Sequence, residues 1–498
     1  MKGWYLNSGT DGSGAGQQRE PDPSCWSLSD QVARLSSDVD LALRDLCDGV
    51  LILGGNGSGK SSTSGRLLFE SMLSRGAGAV FLTVKDSDPA DYIRYAESVG
   101  RGSDVVRFAP GGSHRINLIE TAAAQGGTEA VVKMLSVAMR IVESGRAEAH
   151  GGDPIWDRAR DVLTRNLCDL VHAAGEPLSL EVMANVLDSA PTDLAAAAAV
   201  LELAERREPC LDGTKKLSDF ERCYIKASAQ SRAGNSPVDV YTAKATARYW
   251  TGEYPTVPDR TRGSVRFGFD AMLGALTRGQ IAHLCTTETT LPLSVLREGK
   301  IVILDLPVRR YGESARIVQA IFKHLVQNEL EREAIDADSE VRPVLIGLDE
   351  AQEFLSDTDV AFQATARSAR ACTVMISQSV AGMRRALGRD GTEKLLGVLG
   401  TKIVHACDGE TASWMADLIG QDWRFSPTIG DRGSVSLSRA KRHLIEPIAF
   451  SHLARGGPEF NYCSEAYVFK SGARWGPRER NFARVTLHQN RGGRNVVR

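Results

Sequence analysis

Short runs of consecutive apolar residues alternate along this chain with longer stretches whose apolar positions recur every three or four residues. The runs are Gly49–Leu53 (GVLIL), GAVFLTV around Phe81, Gly299–Pro307 (GKIVILDLP), Arg342–Glu350 (RPVLIGLDE), Ala371–Ser379 (ACTVMISQS) and Thr401–Cys407 (TKIVHAC). They are short for helices and show no polar alternation, so they predict strands buried on both faces. Two shorter strand candidates lie at Asp104–Phe108 and Ile116–Leu118. Helical spacing predicts helices over Leu28–Leu46, over GRLLFESMLSRG up to Gly76, and over ESARIVQAIFKHLVQNELERE. Buried strands alternating with amphipathic helices predict an α/β fold, its sheet mainly parallel and covered on both faces.

From Thr121 to Tyr249 strand candidates all but disappear. DPIWDRARDVLTRNLCDLVHAAG, SLEVMANVL, DLAAAAAVLELAERR and TAKATARYW all space their apolar residues as helices do, and YPTVPDRTRG closes the block. The expected organisation is a flexible tail over 1–27, the first part of an α/β domain over 28–120, and an all-helical insertion over 121–260. The α/β domain resumes over 261–460, and 461–498 holds a C-terminal strand and a basic tail. Within Lys470–Arg498 eight basic residues face one acidic residue, Glu479, with Trp475 and Phe482 among them. Such a segment reads either as a nucleic-acid contact or as a solvated, disordered end.

Composition narrows the classes. The 498 residues suffice for two or three domains, and 42% hydrophobic with 24% charged residues is ordinary for a soluble globular protein. A net charge of −2 neither supports nor excludes a nucleic-acid partner, because a channel needs only local positive charge. The nine cysteines form no CxxC pair, which argues against disulfides and zinc and for reduced thiols. No apolar stretch is long enough to span a bilayer, and the N-terminus lacks a signal-peptide core. A cytoplasmic chain with no membrane anchor of its own is expected.

The chemistry starts after the first strand. In GGNGSGKSS (Gly54, Gly55, Asn56, Gly57, Ser58, Gly59, Lys60, Ser61, Ser62) a glycine precedes Gly-Lys-Ser by four residues, between a strand and a helix. Glycines let consecutive backbone N–H groups approach phosphate oxygens that Cβ atoms would keep away. In such a loop Lys60 reaches the β- and γ-phosphates of ATP, Ser61 coordinates Mg²⁺, and the helix dipole supports the same anions. A second acidic site belongs at the end of a neighbouring strand, and VLIGLDE supplies it. Asp349 is expected to hold Mg²⁺ through its water shell and Glu350 to orient or deprotonate the attacking water. Gln378, at the tip of ACTVMISQ, is placed to sense the γ-phosphate. Arg367 and Arg370, just before that strand, read either as an arginine finger for a neighbouring subunit or as solvated surface.

These residues sit in a chain that resembles the conjugative coupling proteins of type IV secretion, the TraG/TraD-type branch of the HerA–FtsK superfamily of P-loop ATPases. The resemblance runs from about Gly49 to Gly420. VFLTVKDSDPADYIRYAESVG resembles the family's strand ending in Lys-Gly-Glu, with Lys85 kept and Asp86 and Ser87 in place of Gly-Glu. DVVRFAPGGSHRINLI resembles its Asn-Pro-Leu strand, with Asn117 kept and the proline absent. PIWDRARDVL resembles the start of the helical insertion. The run from DEAQEFL through ARSARACTVMISQS to GTKIVHACDGETASWMADLIG follows the acidic, arginine, Gln-Ser and final strand–helix motifs, which puts Arg367 on the finger position.

The resemblance implies a RecA-like P-loop NTPase core interrupted by an all-α insertion, and a homo-oligomer, a hexameric ring, with ATP sites between subunits and DNA in its channel. Where typical coupling proteins carry a membrane anchor, this chain is expected to have only its tail, so docking on a secretion channel would need a recruiting partner protein. Two other classes fit the same residues: an ATPase that energises protein secretion or assembly, and a nucleotide-gated component of a mobile-element or defence complex.

Overall fold

The computed structural model of the protein describes residues 26–144, 154–206, 217–333, 341–429 and 435–489. In chain order the strands are β1 (Gln31–Ser36), β2 (Val39–Ala42), β3 (Val50–Leu53), β4 (Gly78–Leu82), β5 (Val105–Phe108), β6 (Ile301–Leu304) and β7 (Val344–Leu348). They continue with β8 (Ala371–Ser377), β9 (Thr401–His405), β10 (Gln421–Ile429), β11 (Val435–His443), β12 (Cys463–Lys470) and β13 (Phe482–His488). The helices of the α/β part are α1 (Leu43–Cys47), α2 (Arg66–Ser74) and α3 (Asp88–Ser98). Then come α4 (Leu118–Ser144), α5 (Pro154–Ala173), α6 (Leu180–Asp188), α7 (Leu194–Glu205), α8 (Asp219–Ala233), α9 (Val240–Arg248), α10 (Asp259–Leu276) and α11 (Gly279–Cys285). The last five are α12 (Val308–Arg332), α13 (Asp357–Thr365), α14 (Val380–Val398), α15 (Gly409–Ile419) and α16 (Ile448–Ser451).

One sheet of nine strands runs β13-β12-β9-β3-β8-β7-β4-β6-β5. From β9 to β5 every pairing is parallel, and β12 and β13 add an antiparallel edge. The runs carry no alternation because both faces are covered. Val50 and Ile52 enter one core with Phe69, Met72 and Tyr92, while Leu51 and Leu53 enter the other with Ile321, Leu348 and Met383. Each such Leu, Ile or Phe removed from water contributes about 1.5–3 kcal/mol. In this α/β fold β3 and β7 stand two places apart with β8 between them, so their carboxyl-end loops open on the same edge of the sheet.

The helical block lies against one face through α4, which packs on α12 and is broken at Gly126 and Gly127. Helices continue past residue 260: α10 spans it, and α11 extends the block to Cys285 before the sheet resumes. Among the described residues no helix is long and apolar enough to cross a membrane.

Several local expectations are corrected. Leu28–Leu46 is not one helix but the β1–β2 hairpin followed by α1. Its apolar residues Val32, Leu35, Val39, Leu41 and Leu43 are buried in one core, and Ser37-Asp38 supplies a two-residue turn that the helical spacing concealed. Ile116–Leu118 forms no strand: the Asn117 side chain accepts a hydrogen bond from the Glu120 amide at 3.1 Å and caps α4. Trp26, within the expected tail, is buried beneath the Arg75 guanidinium, while Ser27 beside it is exposed. Residues 1–25 lie outside the described residues. At the other end the basic segment does not remain free, since Phe482–His488 pairs with β12 and buries Phe482, Val485 and Leu487. Residues 490–498 lie outside the described residues.

Candidate nucleotide site

The loop after β3 is shaped by its glycines. Gly57 and Gly59 have φ of +71° and +84°, where an L side chain is strained. A Cβ at Gly54 would stand 2.5 Å from Ser58 Oγ and 2.8 Å from His405 Cβ. The loop is tied to β9 by the Gly55 amide, which donates to Ala406 O at 2.9 Å. Ser58 Oγ is buried and without a hydrogen-bond partner among the described residues. Asn56, Gly57 and Ser62 are exposed, Ser61 is half-buried at the start of the helix, and Lys60 is buried. A backbone concavity that side chains cannot occupy, an orphaned hydroxyl and a buried ammonium at a helix start fit a phosphate group.

Beneath the loop His405 is fully buried. Its Nδ1 lies 2.9 Å from Ser464 Oγ and its Nε2 2.7 Å from Ser64 Oγ, while Ser464 Oγ donates to Ser58 O at 2.8 Å. Ser64 Oγ in turn donates to Lys60 O at 3.1 Å, so both hydroxyls that flank the ring also reach phosphate-loop carbonyls. Burial, and secondarily the nearby Lys60 ammonium, pushes His405 down to about 3, so it is neutral. It ties β9 and β12 to the underside of the phosphate loop.

Asp349 and Glu350 follow β7 and are both buried. Glu350 adopts φ +54°, an unfavourable left-handed conformation for a side chain with a Cβ, and its amide donates to Asp349 Oδ1 at 2.9 Å. Such backbone strain gathers at working sites. The Glu350 carboxylate accepts bonds from Gln378 Nε2 at 3.1 Å and Gln352 Nε2 at 2.9 Å, and it pairs with Lys85 Nζ at 3.2 Å. Lys85 Nζ also lies 3.7 Å from Asp349 Oδ2.

Burial pushes the Glu350 pKa up, but the two glutamine amides and the Lys85 and Lys60 ammoniums outweigh it, so the carboxyl sits below its usual range. Lys60 shows the converse. Burial pulls it below an ordinary lysine, with Glu350 and Asp349 opposing. Lys60 and the two carboxylates feel each other's charge because the phosphate loop and the acidic pair stand side by side. For Lys85, desolvation is outweighed by both carboxylates and its pKa rises.

The structure therefore gathers Lys60, Asp349, Glu350 and Gln378 and adds three residues absent from the sequence-derived site. Lys85 is aimed by Asp88, whose Oδ2 accepts the Val84 and Lys85 amides at 2.9 and 2.7 Å. Gln352 is held by the Ser377 hydroxyl at 2.7 Å. His405 supports the loop from below. Lys85 had a signal in its match to the family lysine; Gln352 and His405 depend on tertiary contacts that no local pattern reports.

Arg367 lies elsewhere. It precedes β8, whereas Gln378 follows it, so the length of that strand, about 23 Å at ~3.3 Å per residue, separates it from this subunit's own site. It is exposed, 3.7 Å from Asp48 Oδ1.

Residues 343–453, which contain Asp349, Glu350, Arg367 and Gln378, match the family described as the TraM recognition site of TraD and TraG. No curated protein sequence matches the chain significantly. Among solved structures, the bacterial conjugative coupling protein TrwBdeltaN70 aligns over 93% of this chain and 90% of its own, with TM-score 0.57 and 14% identity. The fold is that of the conjugative coupling protein TrwB. TrwB in complex with the ATP analogue ADPNP aligns over 90% of this chain and 87% of its own, with TM-score 0.57 and 14% identity. TrwB in complex with ADP and Mg²⁺ aligns over 92% and 89%, with TM-score 0.56 and 14% identity. The coupling-protein fold spans almost the whole chain, RecA-like core and helical block together, so the α/β P-loop architecture read from the sequence holds.

Proposed function

We propose that this protein is an ATP-hydrolysing ring motor that translocates DNA, in the manner of conjugative coupling proteins. The observation that carries the proposal is the convergence of Lys60 with Asp349 and Glu350 at one edge of the sheet, in a fold shared with a coupling protein solved with an ATP analogue and with ADP and Mg²⁺. In this reading the Gly54–Ser62 backbone cradles the phosphates and Lys60 neutralises the β- and γ-oxygens. Ser61 and Asp349 would hold Mg²⁺, which when bound supplies further positive charge against the phosphates. Glu350, ionised and fixed by Gln352 and Gln378, orients the attacking water and accepts its proton. Gln378 couples that carboxylate to the γ-phosphate position. Lys85, paired with both carboxylates, offsets part of their negative charge beside the phosphate loop.

In this reading Arg367, which stands a strand's length from its own site, serves a neighbour's nucleotide in a homo-oligomer, a hexamer with DNA in its channel as the resemblance implies. The TraM recognition family over 343–453 supports a recruiting partner protein. Hydrolysis that rises on adding DNA and loses that response as salt increases tests the motor reading; hydrolysis indifferent to single- and double-stranded DNA would favour protein handling instead. Arg367→Ala is expected to keep ATP binding and lose hydrolysis by about 10³-fold or more. Mixing Arg367→Ala with Glu350→Gln subunits is expected to restore part of the activity, since some interfaces then join an intact finger to an intact carboxylate. No recovery at any mixing ratio would rule out action across subunits.

A further inference from the structure

The β10–β11 hairpin is a second sheet of its own, paired in unbroken antiparallel register and hydrogen-bonded to none of the nine strands. It leaves α15 at Gly420 and returns where the Leu444 amide donates to Gly420 O at 3.0 Å. Its described residues 421–425 and 439–442 are all exposed, so core formation does not account for them. Its described side chains are sorted. Trp423 and Phe425 occupy alternate positions on β10 and so share one face, and opposite them on β11 stand Lys441 and Arg439. Trp423 is 48% and Phe425 66% exposed. The Arg439 guanidinium lies 4.5 Å from the Trp423 ring centre and 5.9 Å from that of Phe425, and Lys441 Nζ lies 5.5 Å from the indole. On the opposite face Arg424 and Arg442 outnumber Asp422.

We propose that this hairpin is a single-stranded DNA contact, with Trp423 and Phe425 as a stacking platform for two bases and Arg439 and Lys441 as the guanidinium and ammonium groups that meet the flanking phosphates. The proposal rests on the DNA-translocating reading and names the surface and the form of DNA. Two exposed aromatic rings on one face, each beside a cation, are the elements that hold unpaired bases irrespective of sequence. The charge is complementary to a phosphate backbone. A duplex hides the π-faces of its bases inside the stack, so only unpaired bases can use the rings, although a basic ribbon alone is able to enter a major groove. None of these side chains belongs to the nucleotide site, so the hairpin can be altered without touching the hydrolytic residues.

The test uses the full chain, a fluorescein-labelled oligo-deoxythymidine and a mixed-sequence duplex of equal length, read by anisotropy over a salt series. Trp423→Ala/Phe425→Ala is expected to weaken single-strand binding by about 10- to 100-fold. It should leave duplex binding, basal ATP hydrolysis and the thermal midpoint nearly unchanged. Arg439→Gln/Lys441→Gln is expected to weaken binding and to flatten the log–log salt slope by about 1.4, two phosphates at roughly 0.7 each on a single strand. Wild-type protein that binds the oligonucleotide while both variants bind it equally well overturns the hairpin assignment alone. A Trp423→Ala/Phe425→Ala variant that loses duplex and single strand to the same degree overturns the stacking role. Variants whose oligomeric state changes while DNA affinity does not would make the hairpin a subunit contact and also overturn it. Wild-type protein that binds neither DNA removes the translocase reading itself.

Discussion

Replacing Lys60 with alanine is expected to abolish ATP hydrolysis, with turnover falling by at least about 10²–10³-fold, the effect of losing one preorganised electrostatic group at a transition state. The buried ammonium stands among two carboxylates and a glycine loop, and burial already holds its pKa below that of a free lysine. Glu350 and Asp349 offset part of that desolvation, and a bound phosphate offsets more. Alanine leaves the loop backbone intact, because the turns depend on Gly57 and Gly59. Phosphate release at saturating nucleotide checks the result, and a melting curve close to wild type shows that the fold survives. Turnover within tenfold of wild type would take Lys60 out of the site.

Glu350→Gln is expected to lower turnover by roughly 10²–10⁴-fold, the usual contribution of a positioned base, while ATP binding persists or tightens. Glutamine has the same shape and retains the left-handed backbone at φ +54°. It removes the negative charge that Gln352, Gln378 and Lys85 now compensate, so repulsion toward the incoming phosphates falls. Equilibrium binding of a fluorescent ATP analogue beside single-turnover hydrolysis separates the two effects. Parallel loss of binding and turnover would show that Glu350 supports the fold of the site instead of acting on water.

Much of the nucleotide site was legible because its chemistry is written in contiguous residues. The phosphate loop is one segment, and Asp349-Glu350 closes an apolar run that declares its own strand. The parallel sheet was legible for the same reason: strands covered on both faces lose alternation and stand out as runs such as VLIGL and IVIL. The hairpins were not. β10 and β11 have exposed faces among the described residues, so no apolar period marks QDWRF, and the β1–β2 hairpin mimics helical spacing because both its faces contribute buried residues. His405, Ser464 and Gln352 were hidden for another reason: each acts through a partner distant in sequence or in a neighbouring strand. Arg367 was assigned by motif position, and only the fold shows that a strand's length keeps it from its own phosphate loop.

The account depends on Lys60, Ser61 and Asp349 forming one metal–triphosphate site from segments nearly three hundred residues apart. Titration of a non-hydrolysable ATP analogue into the wild-type protein and into Asp349→Asn, each with Mg²⁺ and with EDTA, tests this most directly. Wild-type protein is expected to bind the analogue more tightly with Mg²⁺ than without, and Asp349→Asn to lose most of that difference while keeping its fold. Nucleotide binding indifferent to Mg²⁺ in wild type, or an undiminished Mg²⁺ effect in the variant, would contradict it.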